Sequence, residues 1–573
     1  MSCRRHLLCL AAGLMLRVPA AEAAENRVVA LPPFLVEEKS AALRWLYADV
    51  AGAEVLSSGS ERLTRELIGN HHRLHTLLGE LLPAELQFRT TEKQTLLFID
   101  SRQQPATSQE VVARLALTSA EEDRLAEAAV PLNDGRLRRR PPPPRYSFLP
   151  NLRLWDRDTG ILFAVVNEKE FDAKRLALTP DYVAYLLRNR LPALPAWFVS
   201  GVLALQARAE FTADALTLER LEWPLAPGAA ALRADAQARR ALLPLPDFFR
   251  GDLSASDAAT AETLELWQAQ AALLVHWGLG GRGAPRRAAF WRFVARAATE
   301  PVTEELFQEC FGIDFAHAQQ QLAKYLPEAV GEKLTLRPPQ RPRLPDYALR
   351  PASDGEIARL KGDWERLEIG YVKAHFPALA PKYIEQARRT LRRAHDRGDR
   401  DPRLLAVMGL CEVDSGNDAA AREFLEAAAT AGKTLRPRAL LDLARLRLAA
   451  HRAARADAGG DLWITSAQAD EVLAPLAAAR DQEPPMPEIY ELVAEVWAAS
   501  ADAPTRARFA VLEEGVRTFP RRTELVYRTA SLSLRHGFAE TARWVITLGL
   551  TLAPDPAARR RFEALQARLE GPE

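Results

Sequence analysis

A short, largely apolar run covers Ala53 to Ser58 (AEVLSS), and an apolar run with β-branched and aromatic residues spans Gln94 to Asp100 (QTLLFID). Each reads as a strand. Between them, Ser60 to Leu82 carries the spacing of an amphipathic helix. Leu152 to Glu168 (LRLWDRDTGILFAVVNE) is expected to form a hairpin turning at Asp158-Thr159-Gly160. From Pro180 to about Tyr325 the period is helical, so the first half is expected to be α+β, a small sheet followed by a helical half. Four consecutive prolines in RLRRRPPPPR (136–145) cannot continue a helix or a central strand and read as a surface loop. PPQRPRLP (338–345) is a second proline-rich stretch and reads as a connector.

Beyond the connector the pattern repeats. Ala387, Leu391 and Ala394 recur as Ala421, Leu425 and Ala428, a period of 34 residues, and Phe519-Pro520 recurs at the same interval as Ala553-Pro554. Ahead of these lie first-helix signals, Trp364, Leu367 and Tyr371 in one unit and Leu405, Met408 and Gly409 in the next. Ala444, Ala494 and Ala530 supply the small residue later on. Paired helices need small residues where they cross and apolar ones beside the crossing. The region therefore resembles tetratricopeptide (TPR) repeats, an all-α solenoid whose exposed face usually receives a protein or peptide.

Length and composition narrow the class. At 573 residues the chain exceeds one ordinary core, and 48% hydrophobic with 26% charged residues is globular composition. A formal charge of +1 supplies no electrostatic pull toward nucleic acid. Arg4 and Arg5, the apolar run Leu7 to Leu16, and VPAAEA ending at Ala23 have the three parts of a secretory signal, so the mature chain is expected to be secreted or periplasmic. No later stretch suffices for a membrane span. Cleavage would leave only Cys310 and Cys411, which make neither a disulfide framework nor a metal motif.

TPDYVAYLLRNRLPALPAWFVSG (179–201) is where chemistry would sit. Tyr185-Leu186-Leu187, Leu194-Pro195-Ala196-Trp197-Phe198 and Gly201, with Phe307, Phe311-Gly312 and LAKYL (322–326) further on, resemble the frame of gluzincin-type, peptidase-MA-like domains of secreted bacterial proteins. That resemblance implies a zincin-like fold and an H-E-x-x-H helix, two imidazoles on one face with a glutamate base between, and a third-ligand Glu on the next helix. On that pattern the first His falls on Pro180, the Glu on Asp181, the second His on Ala184 and the third ligand on Ser200. Proline and alanine have no donor atom for zinc, and a serine hydroxyl beside two vacancies is a poor ligand. No cofactor is then expected.

The resulting layout is a signal (1–23), a degenerate peptidase-like domain (28–330), a proline-rich linker (331–354) and TPR-like repeats (355–570). The leading expectation is an exported, non-catalytic protein working through a protein or peptide partner. An alternative is an active metal-dependent hydrolase with unconventional ligands, His71 and His75 of NHHRLH or Asp181, which would need zinc. A purely structural envelope scaffold is the third reading. His71, His72 and His75 otherwise read as an exposed or capped cluster, His276 as a partly buried core residue, and GLGGRGA (278–284) as an interhelical turn.

Overall fold

The computed structural model describes residues 44–571, leaving out 84–85, 101–147, 151–155, 157, 167, 169–179, 191, 207–208, 212–214, 226–238, 251–259, 281–283, 338–342, 376, 432–434 and 458–462. The expected signal and the first proline run thus lie outside the described residues.

The strands are β1 (Leu46–Val50), β2 (Ala53–Ser57), β3 (Gln94–Asp100), β4 (Phe148–Pro150), β5 (Ile161–Val166), β6 (Glu210–Phe211), β7 (Leu216–Leu218), β8 (Leu334–Leu336) and β9 (Leu349–Pro351). One mixed sheet has the order β4-β5-β3-β2-β1-β9, with β2, β3 and β5 parallel and the other pairs antiparallel. A small sheet has the order β6-β7-β8. The hairpin expected at 152–168 is displaced. Phe148 pairs with Ala164 and Pro150 with Leu162, so Asp158-Thr159-Gly160 does not itself join the paired strands and forms the buried approach to β5.

Helix α1 (Glu61–Leu81) begins where Ser60 accepts a hydrogen bond from the Leu63 N–H, an N-cap with Glu61 in the first turn. The helical half that follows comprises α2 (Pro180–Asn189), α3 (Ala196–Gln206), α4 (Leu245–Arg250), α5 (Ala261–Gly280), α6 (Ala284–Ala297), α7 (Glu304–Phe311) and α8 (Phe315–Gly331). The α+β expectation holds for this half. Gly278 belongs to α5 rather than to a turn, because the backbone there continues its helix to Gly280.

Alternation along the strands splits the main sheet into two faces. Ala48, Val50, Ala53, Val55, Leu96, Phe98 and Leu162 join the core with Leu63, Leu67 and Leu74 of α1 and the apolar sides of α2, α3 and α5. Trp45, Tyr47, Leu56, Leu97, Ile99 and Phe163 point the other way. That second face is covered from outside the α+β half, by the helices after the proline-rich stretch.

Those helices are α9 (Asp354–His375), α10 (Ala380–His395), α11 (Pro402–Ser415), α12 (Asp418–Ala431), α13 (Pro437–Asp457), α14 (Ser466–Arg480), α15 (Pro487–Ala499), α16 (Arg506–Thr518), α17 (Thr523–Arg535), α18 (Ala539–Leu552) and α19 (Pro556–Glu570). They pair as successive hairpins, α9 with α10, α11 with α12, α13 with α14, α15 with α16 and α17 with α18, and neighbouring first helices also touch. Ala387 on α10 and Ala421 on α12 are both fully buried on second helices. Gly409 of α11 shows why small residues recur, since a Cβ there would lie 2.6 Å from Leu425 of α12. Ala444, Ala494 and Ala530 are the corresponding buried small residues of first helices α13, α15 and α17. Phe519 and Ala553 close α16 and α18, ahead of the two prolines that share the period.

The proline-rich stretch leads into strand β9, the edge strand beside β1, and α9 then lies across the sheet's second face. Trp364 stacks on Phe163 at 4.0 Å between ring centroids with 6° between planes. Leu360, Leu367 and Tyr383 complete that core. Each such side chain contributes roughly 1.5–3 kcal/mol by burial. Glu54, the polar residue of β2 on this face, accepts from Tyr47 Oη at 2.7 Å and from Arg359 Nη1 of α9 at 2.7 Å.

Candidate functional site

The residues singled out by the zincin-like frame come together on two touching helices. Pro180 is the first residue of α2, where a missing N–H costs nothing, with Asp181 next to it and Ala184 buried one turn on. Ser200 sits half-buried on α3. The surrounding apolar residues are core. Trp197 packs among Phe249, Phe290 and Phe293 at 5.7–6.3 Å between ring centroids, and Phe198 is fully buried. Gly201 marks a close approach of α3 to α5, because a Cβ there would overlap the Ala271 carbonyl. The conspicuous part of the motif therefore serves packing, and Ala184 and Pro180 offer a metal no ligand atom.

His71, His72 and His75 line a cavity of about 440 Å³ between the β1–β2 turn, the middle turns of α1 and the stretch Phe88 to Gln94, with Glu483 from the loop after α14 at its edge. The cluster is not simply exposed, as its sequence suggested. His71 is buried, its ring 4.3 Å from that of His75, and His72 Nε2 is 2.9 Å from the Arg343 carbonyl. Burial, then the neighbouring His75, pushes His71 well below the ordinary imidazole range, and burial with His72 pushes His75 to about 4. Among the described residues no three His, Cys, Asp or Glu side chains form a metal-holding group. His276 is more buried than expected and pairs through Nδ1 with Tyr325 Oη at 2.8 Å.

The densest polar chemistry lies where no motif pointed. Asp156 and Asp158, on the approach to β5, enter the face made by the first helices α9, α11 and α13. Arg366 of α9 bonds Asp156, and Arg436 reaches Asp156 at 2.7 Å and Asp158 at 2.8 Å through Nη2, with Nε at 3.1 Å from Asp158. Arg438 Nη1 donates to Asp156 at 2.6 Å, and the Arg438 backbone N–H, in the first turn of α13, donates to Asp158 at 2.8 Å. Burial alone would raise the Asp156 pKa, but Arg366, Arg438 and Arg436 outweigh it and hold the carboxyl below the ordinary range. Asp414 goes the other way, raised by burial that its arginine partners only partly offset. The partners lie 210 to 282 positions apart, and no periodicity within one segment could have revealed them.

Two smaller contacts tie later hairpins to the same half. The Thr91 N–H donates to the Glu483 carbonyl at 2.8 Å, and Arg521 Nη2 donates to the Glu300 carbonyl at 3.1 Å.

No family model matches the chain, and no curated protein matches it. Among solved structures it is similar to a thermophilic TPR protein of Thermus thermophilus, at 18% identity over 36% of this chain and 98% of that chain with a TM-score of 0.24. It is also similar to Acl4, the assembly chaperone of RpL4, at 19% identity over 36% of this chain and 84% of that chain with a TM-score of 0.23. The helical-hairpin repeat architecture from α9 to α19 is read from those helices themselves. No helix among the described residues is long and apolar enough to cross a membrane.

Proposed function

We propose that this is an exported, non-catalytic binding protein, a metallopeptidase-like domain without its zinc ligands fused to a TPR-like array that receives a protein or peptide partner. The observation that carries the reading is the division of labour in α2 and α3. Trp197, Phe198 and Gly201 serve packing, while the positions that would hold metal are Pro180, Ala184 and Ser200. A fold can keep its packing residues when selection on its chemistry ends, because the two sets of side chains have different roles. The stacked hairpins support the binding half of the proposal, since such arrays present continuous surfaces to partners. Export rests on the tripartite N-terminal pattern ending at Ala23.

One preparation tests the proposal. The full chain, expressed with its own N-terminus in a bacterial host and recovered from the envelope fraction, should begin at Ala24 and carry no stoichiometric zinc by elemental analysis. Installing Pro180→His, Asp181→Glu, Ala184→His and Ser200→Glu together should create zinc binding, whereas any two alone leave the metal mostly solvated. One zinc per unmodified chain, lost when His71 and His75 are both replaced by Ala, would establish the hydrolase reading instead.

A further inference from the structure

We propose that the face formed by α9, α11 and α13 is a receptor for an acidic segment with two aspartates one residue apart, and that Asp156 and Asp158 of the same chain occupy it in cis. The inference rests on the reading of the array as a peptide-binding platform and names a ligand class for one part of it.

The cradle is organised by the array's own residues. Arg366 is held by Asp363 through Nε at 2.8 Å and by Asp414 through Nη1 at 2.6 Å. Arg436 Nη1 is held by Asp363 at 3.0 Å, and Arg438 by Asp414 at 3.1 Å and Asp442 at 2.8 Å. Each arginine therefore has an array carboxylate that fixes its planar fork and further donors directed at the inserted segment. This is the arrangement of a preorganised site, in which the recognising groups do not have to be ordered by the ligand.

Charge fixes the class of ligand. The arginines Arg366, Arg436 and Arg438 are matched one for one by Asp363, Asp414 and Asp442. Arg445 also pairs with Asp442, so the cradle carries an excess of positive charge, and the donors left over require acceptor groups. The inserted segment supplies two carboxylates that are nearly wholly enclosed, each with several donors. Asp158 is clamped by Arg436 Nε and Nη2 and by a helix N-terminal amide, which a shorter or neutral acceptor does not reproduce. Asp156 bridges the arginine trio, so its position relative to Asp158 is read as well. A segment with one aspartate, or with both side chains neutral, leaves buried guanidinium donors unmatched.

Cis occupancy has a consequence for partners. A receptor filled by its own chain binds the same motif in trans only through the fraction of molecules in which the segment has withdrawn. The first hairpins are thereby closed to acidic partners in the resting protein.

The test uses the full chain and the fluorescent peptide LRLWDRDTGIL, the protein's own residues 152–162. In fluorescence anisotropy the Asp156→Asn/Asp158→Asn protein should bind this peptide at least about tenfold more tightly than the unmodified protein does, because its cis competitor is disabled. The peptide with both aspartates changed to asparagine should bind neither protein. A folded double variant that ignores the acidic peptide, or takes both peptides equally, overturns the proposal. Should the double variant not fold, the unmodified protein decides. Excess acidic peptide should speed hydrogen exchange in β5 several-fold, the asparagine peptide should not, and no acceleration by either overturns it. None of these readouts depends on zinc content or export, so their failure would leave the broader proposal standing.

Discussion

The α2–α3 segment and the arginine–aspartate junction are opposites in how they advertise themselves. The first has a motif-like sequence and proves to be packing. Trp197, Phe198 and Gly201 fix helices against one another, and Pro180 and Ala184, which the gluzincin resemblance aligns with zinc ligands, have side chains without a ligand atom. The second has an ordinary sequence, scattered over residues 156 to 442, and gathers buried charges of both signs. Spacing within one helix records which side faces a neighbour. Partnership between distant charges is recorded nowhere until the chain folds.

That contrast can be tested by substitution, and the junction should show the larger effect. Arg436→Ala takes the guanidinium from buried Asp158 and one of the arginines from Asp156 and Asp363, and it should cost about 3–5 kcal/mol by urea denaturation. Lysine at the same position should not restore the loss, because a single ammonium cannot replace the guanidinium fork. An Arg436→Ala protein as stable as the parent would mean that the junction is solvated and unimportant. Gly201→Ala, in the packing region, should cost about 1–3 kcal/mol by forcing α3 away from the Ala271 carbonyl. A neutral outcome there would show that the α3–α5 approach is looser than described.

The last effect concerns acid. His71 and His75 stay neutral in the folded protein through a range where free imidazoles protonate, so the unfolded chain binds more protons there. Stability therefore falls as pH drops from about 6.5 toward 4. Asp156, held ionised below the ordinary carboxylate range, loses its contribution only in stronger acid. Changing both histidines to Phe should flatten this part of the stability–pH curve, measured as melting temperature against pH. An unchanged slope would assign the acid sensitivity to other groups.

Much of the fold was legible because it depends on local periodicity. The strand-like runs at 53–58 and 94–100, the capped helix after Ser60, the helical stretch from Pro180 and the recurrence of Ala387 as Ala421 all match elements or equivalent positions. The hairpin at 152–168 was misplaced, because the Asp158-Thr159-Gly160 turn signal competes with a tertiary demand. Asp158 is drawn inward by Arg436, and the antiparallel partner of β5 comes from Phe148–Pro150 instead. The histidine cluster was misjudged for a related reason. His71 and His75 share a helical face by spacing alone, but their enclosure comes from the β1–β2 turn and the Phe88–Gln94 stretch packed over that face.

By itself the sequence determined the elements and their apolar sides, since period and capping act within a few residues. It also determined that the side chains of Pro180 and Ala184 carry no zinc-ligating atom. Only the tertiary structure decided that the sheet's second face is covered by α9 and α10, and that Asp156 and Asp158 meet Arg366, Arg436 and Arg438. The physical reason is range. Hydrophobic periodicity is a property of one segment, whereas a buried charge finds its partner only when packing excludes water and brings distant segments within hydrogen-bond reach.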